Sequence, residues 1–461
     1  MKGDFPQEFR ERIGNQGYID REALLSALSS NSDVSIRVNR AKWSGYPLGA
    51  ERVPWCETGY YLEKRPSFTL DPLFHAGCYY VQESSSMFLE QAIRQIKGDS
   101  PGLRILDLCA APGGKTTHLA SLAGKGTVIV ANEVIRQRAS VLAENVVKWG
   151  TGNIVVTSSD PIAFARLPGY FDIVLVDAPC SGEGMFRDIH ARDEWSLNNC
   201  NLCAGRQQRI LADVWPALKQ GGYLIYSTCT FNPAENELQI AQLTDEFACT
   251  PVPLEISSYH GITAVPRKEK IAGYGFHPGK ARGEGFFLSV LRKEDATEPF
   301  KPVRTSGMKS GKLPGDIISI ARSMATVSDE AIDDFSGTII ALPLARQELY
   351  QLAANLKIAK AGTALFTRKQ GSIIPAHDIA VSALSKRVTF PEVDISYEEA
   401  IRFLRNESDI GRQFTENGWI LLTYRGIGLG FIKNIGRRLN NYYPSDWRIR
   451  MAAGPSQQEI I

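Results

Sequence analysis

Between Arg104 and Arg292, short β-branched apolar segments alternate with segments whose apolar residues recur at helical spacing. This alternation is typical of a parallel sheet whose strands are joined by crossover helices. It predicts strands at Arg104–Leu108, Thr127–Ala131, Ile154–Thr157, Phe171–Val176 and Tyr223–Ser227. We therefore predict an open, doubly wound α/β domain of Rossmann-like architecture over residues 101–295.

The rest of the chain divides into three further regions. At 461 residues the chain is several times the length of a typical domain, so more than one domain is expected. Residues 1–100 mix amphipathic and strand-like stretches, which predicts a smaller α+β extension. Glu298–Gly315 is rich in Pro, Gly, Ser and Lys, as linkers are, so we interpret residues 296–378 as a linker and an intermediate region. Residues 379–461 predict a β-rich C-terminal domain.

Composition restricts the class of protein. No apolar run approaches the roughly 18 residues of a membrane helix, and the polar start of the chain does not resemble a signal peptide. Eight cysteines are too sparse in a chain of this length to form the disulfide framework of a small secreted domain. We therefore expect a cytoplasmic protein with reduced thiols and no membrane contact.

A loop of small residues, Asp107–Thr116, follows the first predicted strand and opens a predicted helix. Open α/β sheets bind ligands at this position. The free N–H groups of a helix N-terminus can bind a carboxylate, such as the amino-acid end of S-adenosyl-methionine. The loop lacks the spacing of a phosphate-binding P-loop. Taken alone, the same residues also fit a tight strand-to-helix connection without a ligand.

Two acidic residues follow the next predicted strands. Glu133 stands after the second strand, where a carboxylate can accept both hydroxyls of a ribose. Asp160 stands just past the third strand, where it could face an adenine. The alternative for Asp160 is a helix N-cap or a turn, since aspartate is common at both.

Two cysteines stand at the ends of neighbouring predicted strands. Cys180 lies in the segment Asp177–Gly184 after the fourth strand, and Cys229 follows the fifth. Parallel strands end at one edge of the sheet, so both thiols are expected beside the cofactor crevice. A single free cysteine is more often a small buried apolar residue than a nucleophile. Two thiols at adjacent strand ends, on loops with Pro and Gly, instead indicate a reactive site.

A thiol at this edge suits the methylation of a pyrimidine. Carbon 5 of cytosine is a poor nucleophile, but addition of a thiolate to carbon 6 gives an enamine that can attack a methyl sulfonium. Asp177 could stabilise the activated ring by hydrogen bonds at N3 and the exocyclic amine. The enzyme thiol must then be eliminated, which gives a second group a task. The residues themselves leave open which cysteine performs which step.

The C-terminal region carries an excess of cations. Between residues 425 and 450, Asp446 is the one acidic residue in the sequence. The cations are Arg425, Lys433, Arg437, Arg438, Arg448 and Arg450, and the rings among them are Phe431, Tyr442, Tyr443 and Trp447. Cations can bind phosphates and rings can stack on bases. An RNA-binding surface and an ordinary solvated face both fit this composition.

Several motifs in residues 80–292 resemble the NOL1/NOP2/Sun family of RNA 5-methylcytosine methyltransferases. They are Val81–Ser85, the loop Asp107–Thr116, Ala131–Glu133, Asp177–Gly184, Tyr226–Thr230 and Gly283–Phe287. The resemblance implies that Cys229 is the covalent nucleophile and that Cys180 assists release of the product. DNA cytosine methyltransferases instead attack with the thiol of a Pro-Cys motif, so the presence of both motifs implies an RNA substrate.

The resemblance also implies cofactor contacts and an RNA-binding domain. The implied contacts with S-adenosyl-methionine are Cys109, Ala110, Ala111, Pro112, Gly113, Gly114, Lys115, Glu133, Arg138, Asp160 and Asp177. The full-length architecture resembles a bacterial subgroup that modifies 16S ribosomal RNA of the small ribosomal subunit. Residues 418–450 resemble the PUA-like RNA-binding domain of that subgroup, which favours RNA contact over a solvated face.

Other functions fit parts of the sequence. The motifs agree equally with the same chemistry on transfer RNA, and an RNA-binding assembly factor with dispensable catalysis also fits. An amino methyltransferase is disfavoured, because that class carries Asn/Asp-Pro-Pro-Tyr/Phe where this chain has Asp177–Cys180. Cys200 and Cys203 lack a second pair of ligands at zinc spacing, so we expect no metal. We further expect a monomer.

Overall fold

The computed structural model describes residues 4–47, 49–97, 100–267, 270–298, 300–301, 313–451 and 460–461. Most of the predicted linker Glu298–Gly315 therefore lies outside the described residues. Within the described part of the chain, no helix is both long enough and apolar enough to cross a membrane.

The N-terminal region folds as an α+β extension. Its elements are α1 (Gln7–Gly14), α2 (Arg21–Leu28), β1 (Val34–Val38), β2 (Gly59–Leu62), α3 (Pro72–His75), β3 (Tyr79–Val81) and α4 (Leu89–Lys97). The strands form an antiparallel sheet in the order β2-β1-β3. Asp20 starts α2, because its side chain accepts a hydrogen bond from the Ala23 N–H. Buried side chains of α1 and α2 pack against Phe186 and Trp195, which fixes the extension to the central domain.

The central domain alternates strands and helices from Arg104 to Lys293. Its elements are β4 (Arg104–Asp107), α5 (Gly114–Leu122), β5 (Val128–Asn132), α6 (Arg136–Trp149), β6 (Ile154–Thr157), β7 (Phe171–Asp177), α7 (Ile189–Glu194), α8 (Leu197–Val214), β8 (Leu218–Thr228), α9 (Glu237–Glu246), β9 (Cys249–Pro251), β10 (Ile262–Arg267), β11 (Lys270–Phe276) and β12 (Phe286–Lys293). All five predicted strands are present. β8 begins at Leu218 rather than Tyr223, because the turn-like residues 219–222 form a bulge within the strand.

The strands of this domain form one sheet in the order β10-β11-β12-β8-β7-β4-β5-β6. β6, β5, β4, β7 and β8 are parallel, whereas β12, β11 and β10 are antiparallel to their neighbours. The direction of winding changes between β4 and β7, since β5 and β6 lie on one side of β4 and β8 lies on the other. Ligands bind outside the carboxyl ends of the strands at such a switch point. The predicted doubly wound architecture is confirmed.

Helices cover both faces of the central sheet. α4, α5 and α6 pack on one face through side chains that include Ile93, Leu119 and Leu142. α8 and α9 cover the other face, with Leu211 and Ile240 among the buried residues. Each fully buried side chain of this kind contributes about 1.5–3 kcal/mol. This two-sided core fixes the strand ends from which the functional loops emerge.

The C-terminal part forms two small sheets with flanking helices. Its elements are α10 (Gly315–Met324), β13 (Ile332–Phe335), β14 (Thr338–Ala341), α11 (Arg346–Asn355), β15 (Ile358–Ala361), β16 (Thr363–Lys369), β17 (Ser372–Pro375), α12 (His377–Val381), β18 (Glu392–Asp394), α13 (Tyr397–Leu404), β19 (Gly418–Tyr424), β20 (Ile427–Asn434) and β21 (Leu439–Asn441). One sheet has the order β13-β14-β16-β17, and the other has the order β18-β19-β20-β21. The predicted β-rich C-terminal domain contains the second sheet.

One strand from the predicted intermediate region joins the central sheet. β15 pairs antiparallel with β6, with Lys360 opposite Val156. Without β15, β6 would be an edge strand with unpaired backbone groups. The central sheet is therefore completed by residues well beyond 295. Local sequence periodicity cannot indicate this, because it does not report which distant strand covers an edge.

The C-terminal domain packs against the N-terminal extension. Ile36 and Tyr79 of the extension share a buried apolar cluster with Phe403 and Tyr443 of the C-terminal domain. Tyr443 Oη also lies 3.2 Å from His75 Nδ1. The two ends of the chain are thus held together beside the central domain.

Candidate active site

The loop between β4 and α5 is held in a fixed conformation. The Ala110 N–H donates to the Asn132 carbonyl at the end of β5, at 2.8 Å. Gly113 has a φ of 114°, and a Cβ at this position would lie 3.2 Å from Leu142 Cδ1. Glycine is therefore favoured where the loop enters α5. The first residues of α5 consequently reach the wall of a crevice.

The crevice contains a cavity of about 170 Å³ between the loop, the end of β7 and the N-terminal extension. The central domain contributes Asp107, Lys115 and Asp177, and the extension contributes Tyr80 and Glu83. Tyr80 and Glu83 were not predicted as site residues from the sequence. Glu83 belongs to the motif at 81–85, which the resemblance identified without giving it a place in the fold, whereas Tyr80 lies just before that motif.

Asp107, at the end of β4, is fully buried in the cavity wall. Its Oδ2 accepts a hydrogen bond from Thr116 Oγ1 at 2.6 Å, whereas its Oδ1 has no partner among the described residues. Burial raises the pKa of Asp107 to about 7, against the opposing effect of the Thr116 hydrogen bond. An unpartnered buried oxygen beside a cavity fits a hydrogen-bond donor or a cation on a ligand.

Lys115 connects the cofactor loop to the end of β7. Its Nζ lies 2.8 Å from Asp177 Oδ2 and 5.1 Å from the centroid of the Phe286 ring. Asp177 Oδ1 accepts a hydrogen bond from Ser227 Oγ at 2.7 Å. Burial lowers the pKa of Lys115, but the charge of Asp177 and the hydrogen bond with it outweigh burial, and the pKa is raised. Lys115 is therefore a fixed cation between the cavity and the cysteine loops.

Glu133 and Arg138 form a pair that contacts the cofactor loop. Glu133 is buried, and its carboxylate lies 3.2 Å from Arg138 Nη1. Arg138 also donates to the Ala111 carbonyl at 3.0 Å. The structure thus brings together two predicted cofactor residues and the predicted loop.

Asp160 lies apart from this pair. Its side chain is exposed, and its Oδ1 accepts a hydrogen bond from the Ile162 N–H at 3.2 Å. This bond caps the short 3₁₀ helix at Pro161–Arg166. The capping role considered from the sequence is therefore present, and contact between Asp160 and an adenine stays a prediction.

The thiols of Cys180 and Cys229 face each other at the carboxyl edge of the sheet. Their Sγ atoms are 3.2 Å apart, and the Cys229 N–H donates to Cys180 Sγ at 3.4 Å. The pKa of Cys180 is raised well above its ordinary value, first by the hydrogen bond with Cys229 Sγ and then by burial. The Cys180 thiol therefore loses its proton less readily than an ordinary thiol does.

Two buried carboxylates hold the cysteine loops, and neither was predicted from the sequence. Glu235 accepts hydrogen bonds from the N–H of Ser181 at 2.8 Å and from its Oγ at 2.5 Å. Glu183 accepts a hydrogen bond from the Phe231 N–H at 3.2 Å and pairs with Arg12 of α1 at 2.5 Å. Both glutamates stand beside Gly, Pro or Asn, a pattern typical of surface turns. Only the folded chain reveals that they are buried.

One further cluster could hold a metal ion by its geometry. In the part of the chain that the structure describes, Cys56, Glu90 and His118 form the set of possible ligands whose atoms lie within 4.8 Å of one another. Glu90 already lies 3.1 Å from His118 Nε2 and 3.0 Å from Arg94. The contact between Glu90 and His118 joins α4 to α5. The predicted structural pair at 200 and 203 is buried on α8 and does not belong to this cluster.

The C-terminal cations lie on the surface, but two of the predicted aromatic residues do not. The exposed cations include Arg437, Arg438, Arg448 and Arg450. Phe431 and Tyr443 are only 2% and 3% exposed, and both belong to apolar clusters. The prediction that their rings stack on bases is wrong, because composition does not reveal which side chains face the core. Tyr442, at 37% exposed, is the neighbouring ring that reaches solvent.

Three segments of the chain match known families. Residues 97–292 match the family described as 16S rRNA methyltransferase RsmB/F. Residues 5–84 match the N-terminal domain of 16S rRNA methyltransferase RsmF, and residues 390–449 match the methyltransferase RsmF PUA domain. The three matches follow the order of the extension, the central domain and the C-terminal domain.

Full-length relatives show the same likeness. The ribosomal RNA small subunit methyltransferase F of Pectobacterium atrosepticum is 32% identical, over 96% of this chain and 95% of the relative. The protein of that name from Enterobacter sp. (strain 638) is 30% identical over the same shares of the two chains, 96% and 95%. The chain belongs to the 16S rRNA methyltransferase RsmB/F family. As a member of the RsmB/F family it is an S-adenosyl-methionine-dependent RNA methyltransferase, with the N-terminal and PUA domains of the RsmF type.

Solved structures agree with the RsmB/F assignment. A methyltransferase homolog protein from Pyrococcus horikoshii is 30% identical with a TM-score of 0.53, over 63% of this chain and 95% of that protein. NSun6 from the same organism is 20% identical with a TM-score of 0.52, over 63% of this chain and 99% of that protein. The second likeness shows the shared fold, and the first places the RsmB/F core among methyltransferases.

Proposed function

We propose that this chain methylates carbon 5 of a cytosine in 16S ribosomal RNA, with Cys229 as the covalent nucleophile and Cys180 assisting release. The contact between the two Sγ atoms, 3.2 Å apart beside Lys115 and Asp177, carries this proposal. A nitrogen or oxygen atom of a base can accept a methyl group without covalent activation, whereas carbon 5 needs a nucleophile on carbon 6. Two contacting thiols at this edge therefore favour a carbon target.

The cavity beside the β4–α5 loop fits S-adenosyl-methionine. The unpartnered Asp107 Oδ1 fits the ammonium of its amino-acid end, and the N-terminus of α5 fits its carboxylate. We assign the ribose hydroxyls to Glu133, held by Arg138, and the adenine side to Asp160. The other proposed contacts are Cys109, Ala110, Ala111, Pro112, Gly113, Gly114, Lys115 and Asp177. When bound, S-adenosyl-methionine supplies an electrophilic methyl group.

Cys229 acts as a thiolate that adds to carbon 6 of the cytosine. A bond forms between sulfur and carbon 6, and the electron pair of the C5=C6 double bond makes carbon 5 nucleophilic. Asp177 is held by Lys115 and Ser227, so its carboxylate can accept a hydrogen bond from the exocyclic amine without reorganising. Lys115 adds a cation beside the ring as its electron density rises.

Release requires the carbon-5 proton and the Cys229 sulfur to leave. A water molecule accepts the proton, and the C–H electron pair restores the C5=C6 double bond. The C6–S bond breaks with its electron pair on the Cys229 sulfur. Cys180 retains its proton 3.2 Å away, so its thiol can donate to the departing sulfur.

We propose that the C-terminal domain, at residues 379–461, binds the RNA next to the modified base. Its exposed arginines suit phosphate contacts, as in a PUA domain of the RsmF type. Residues 101–295 then form the catalytic domain, and residues 1–100 form an extension that supplies one wall of the cavity. The region at 296–378 connects the catalytic and C-terminal domains in the chain and adds β15 to the central sheet.

Methyl transfer from labelled S-adenosyl-methionine tests this proposal. Purified 16S ribosomal RNA, assembled small subunits and transfer RNA are each offered to the full-length protein, and the labelled nucleoside is identified by mass spectrometry. We expect 5-methylcytosine in the ribosomal substrate. A different methylated nucleoside would refute the carbon-5 chemistry, and label confined to transfer RNA would refute the ribosomal substrate. Growth complementation by Cys229→Ala separates an assembly role from catalysis.

A further inference from the structure

Glu235 is a buried carboxylate that grips the loop of Cys180. The residue is 0% exposed. Its Oε2 accepts hydrogen bonds from the Ser181 N–H at 2.8 Å and from Gln207 Nε2 at 3.1 Å. Its Oε1 accepts a hydrogen bond from Ser181 Oγ at 2.5 Å. Donors from the Cys180 loop and from α8 therefore converge on one carboxylate.

The same hydrogen bonds reach both cysteine loops. Gln207 Nε2 also donates to the Pro179 carbonyl at 3.0 Å, so the residues on both sides of Cys180 are held. Ser181 Oγ lies 2.9 Å from Thr230 Oγ1, next to Cys229 in the chain. The Tyr226 hydroxyl donates to the Glu235 backbone carbonyl at 2.6 Å. Glu235 thus occupies the point where the ends of β7 and β8 are tied together.

The two thiols interact with charged side chains of opposite sign. Lys115 interacts electrostatically with Cys229, which helps to raise the pKa of this lysine. The charge of Glu235 instead acts on Cys180, where it adds to the effects of Cys229 and of burial in raising the pKa of the thiol. A cation therefore accompanies the proposed nucleophile, and an anion accompanies the thiol that retains its proton.

We propose that Glu235 is a positioning residue that holds Cys180 as a protonated thiol facing the Cys229 sulfur. Its hydrogen bonds fix the loop, and its charge opposes the formation of a second anion beside it. The consequence for catalysis rests on the proposed cytosine-5 function. The state of the Cys180 proton does not, because it follows from contacts within the protein.

Glu235 ionises at a pH that allows its charge to act on the Cys180 thiol. Burial raises the pKa of Glu235 to about 7, although the hydrogen bonds from Ser181 oppose the rise. A free thiol ionises near about 8.5. The carboxylate therefore becomes charged just below the pH range in which Cys180 would otherwise lose its proton. The other titratable groups that interact with it are Glu183, paired with Arg12, and Cys180, Cys200, Cys203 and Tyr226.

Alkylation of Cys180 tests the proposal without RNA or cofactor. The full-length Cys229→Ser protein is treated with iodoacetamide across a pH series, and alkylation of the Cys180 peptide is followed by mass spectrometry. We expect a midpoint well above pH 8.5 in this parent protein. Addition of Glu235→Gln is expected to lower the midpoint by about one unit, a tenfold change in the ionisation constant. Glutamine keeps the size of the side chain and one acceptor while it removes the charge.

Two further variants separate charge from structure. Glu237→Gln removes an equal charge from the same segment, but Glu237 bonds to Tyr18 Oη and not to the Cys180 loop, so the midpoint is expected to stay unchanged. Ser181→Ala removes the hydroxyl contacts with Glu235 and Thr230 but leaves the Glu235 carboxylate, which is ionised at pH values above its pKa, so the Cys180 midpoint is also expected to stay high. An equal midpoint in the parent protein and in a folded Glu235→Gln variant would overturn the proposal. A parent midpoint at or below 8.5 would overturn it even if Glu235→Gln failed to fold.

Accumulation of the covalent adduct during turnover measures the effect of Glu235→Gln on catalysis. In Glu235→Gln, Cys180 loses its proton at lower pH, so the covalent protein–RNA adduct is expected to accumulate several-fold between pH 7 and pH 9. The wild-type protein is expected to show little such increase. If no adduct formed in any variant while the alkylation midpoint still shifted, the cytosine-5 function would fail and the role of Glu235 would stand. If the adduct formed in both proteins without a shift in the midpoint, the cytosine-5 function would stand and the role of Glu235 would fail.

Discussion

Cys180 Sγ lies 3.2 Å from Cys229 Sγ, at the point where two parallel strands end side by side. Two thiolates at this separation would repel each other strongly in a partly buried site. The raised pKa of Cys180, caused first by its hydrogen bond with Cys229 Sγ, keeps one proton on the pair. Attack by one sulfur and assistance by the other therefore depend on the same contact.

Cys180→Ala is expected to trap the Cys229–RNA adduct. Without the donor, the departing sulfur leaves unaided, and loss of a hydrogen bond to a charged group costs about 1.5–3 kcal/mol. Release should therefore slow by about 10-fold to 100-fold. The adduct is measured on denaturing gels with labelled RNA and S-adenosyl-methionine. Cys229→Ala, the matched control, should give neither adduct nor methyl transfer, and an adduct in that variant would reverse the two roles.

Lys115→Met is expected to lower the rate of methyl transfer by about 10-fold to 100-fold, through loss of a charge-assisted hydrogen bond to Asp177. The methionine fills similar space, so the cavity wall should be preserved. The rate constant is measured in single turnovers, and cofactor affinity is measured separately by calorimetry. Lys115→Arg keeps the cation and should retain more activity. Equal losses in both variants would argue against a role for the charge.

The sequence predicted the sheet well, because a strand buried on both faces carries a strong local signal. β6 was predicted with the bounds it has in the structure, and Cys180 and Cys229 were expected at one edge because each follows a strand of a parallel sheet. The order of their two tasks came only from the family resemblance. The structure adds that the two Sγ atoms are in contact, 3.2 Å apart, and that either sulfur can donate the hydrogen between them.

Residues that act through distant contacts could not be predicted. Glu235 and Glu183 stand in turn-like segments, and only the fold places them under the cysteine loops. Arg37 belongs to a strand of the extension, yet its side chain reaches the cofactor helix. Phe431 was misplaced for the same reason, since local composition cannot tell a buried ring from an exposed one.

Arg37→Ala is expected to reduce both stability and cofactor affinity. Arg37 is fully buried and donates to Thr117 Oγ1 at 2.6 Å, to Gln82 Oε1 at 2.9 Å and to the Gly114 carbonyl at 3.3 Å. Truncation leaves these acceptors without their donor, so the free energy of unfolding should fall by about 2–4 kcal/mol. Denaturant unfolding measures this change.

Arg40→Ala provides the control for Arg37→Ala. Arg40 is exposed, and among the described residues its side chain donates to the nearby loop carbonyls of Ser44 and Gly45 and to Tyr60 Oη. We expect a loss below about 1 kcal/mol. Since Arg37 supports the first turn of α5, its removal should also weaken S-adenosyl-methionine binding in calorimetry. Unchanged affinity in a folded Arg37→Ala protein would contradict this link between the extension and the cavity.

Asp107 should make the stability of the protein depend on pH. Burial raises its pKa to about 7, above the value of about 3.9 in the unfolded chain. The stabilising contribution of the neutral carboxyl is therefore complete below about pH 4 and is lost as the pH rises through 7. Relative to Asp107→Asn, the free energy of unfolding of the wild type should fall with pH across this window, by at most about 1.4 kcal/mol per unit.

Denaturant unfolding at several pH values measures this dependence. The asparagine can still accept the Thr116 hydrogen bond, so its fold should be kept. Asp193→Asn alters an exposed aspartate and should follow the wild-type curve. Parallel curves for the wild type and Asp107→Asn would contradict the prediction. The same substitution should weaken S-adenosyl-methionine binding more at pH 8 than at pH 6, because it removes the anion proposed for the ligand ammonium.

Arg437→Ala is expected to weaken RNA binding and to reduce its dependence on salt. Arg437 is exposed on the C-terminal domain, and each cation that binds a phosphate adds about 0.7 to the slope of log affinity against log salt for single-stranded RNA. The slope should therefore fall by up to about 0.7. Loss of a contact with a base would instead change the affinity and leave the slope unchanged. Lys125→Ala removes an equal exposed charge from the turn between α5 and β5 of the central domain and should leave the slope unchanged. Equal slopes for Arg437→Ala and the wild type would exclude a phosphate contact at this position.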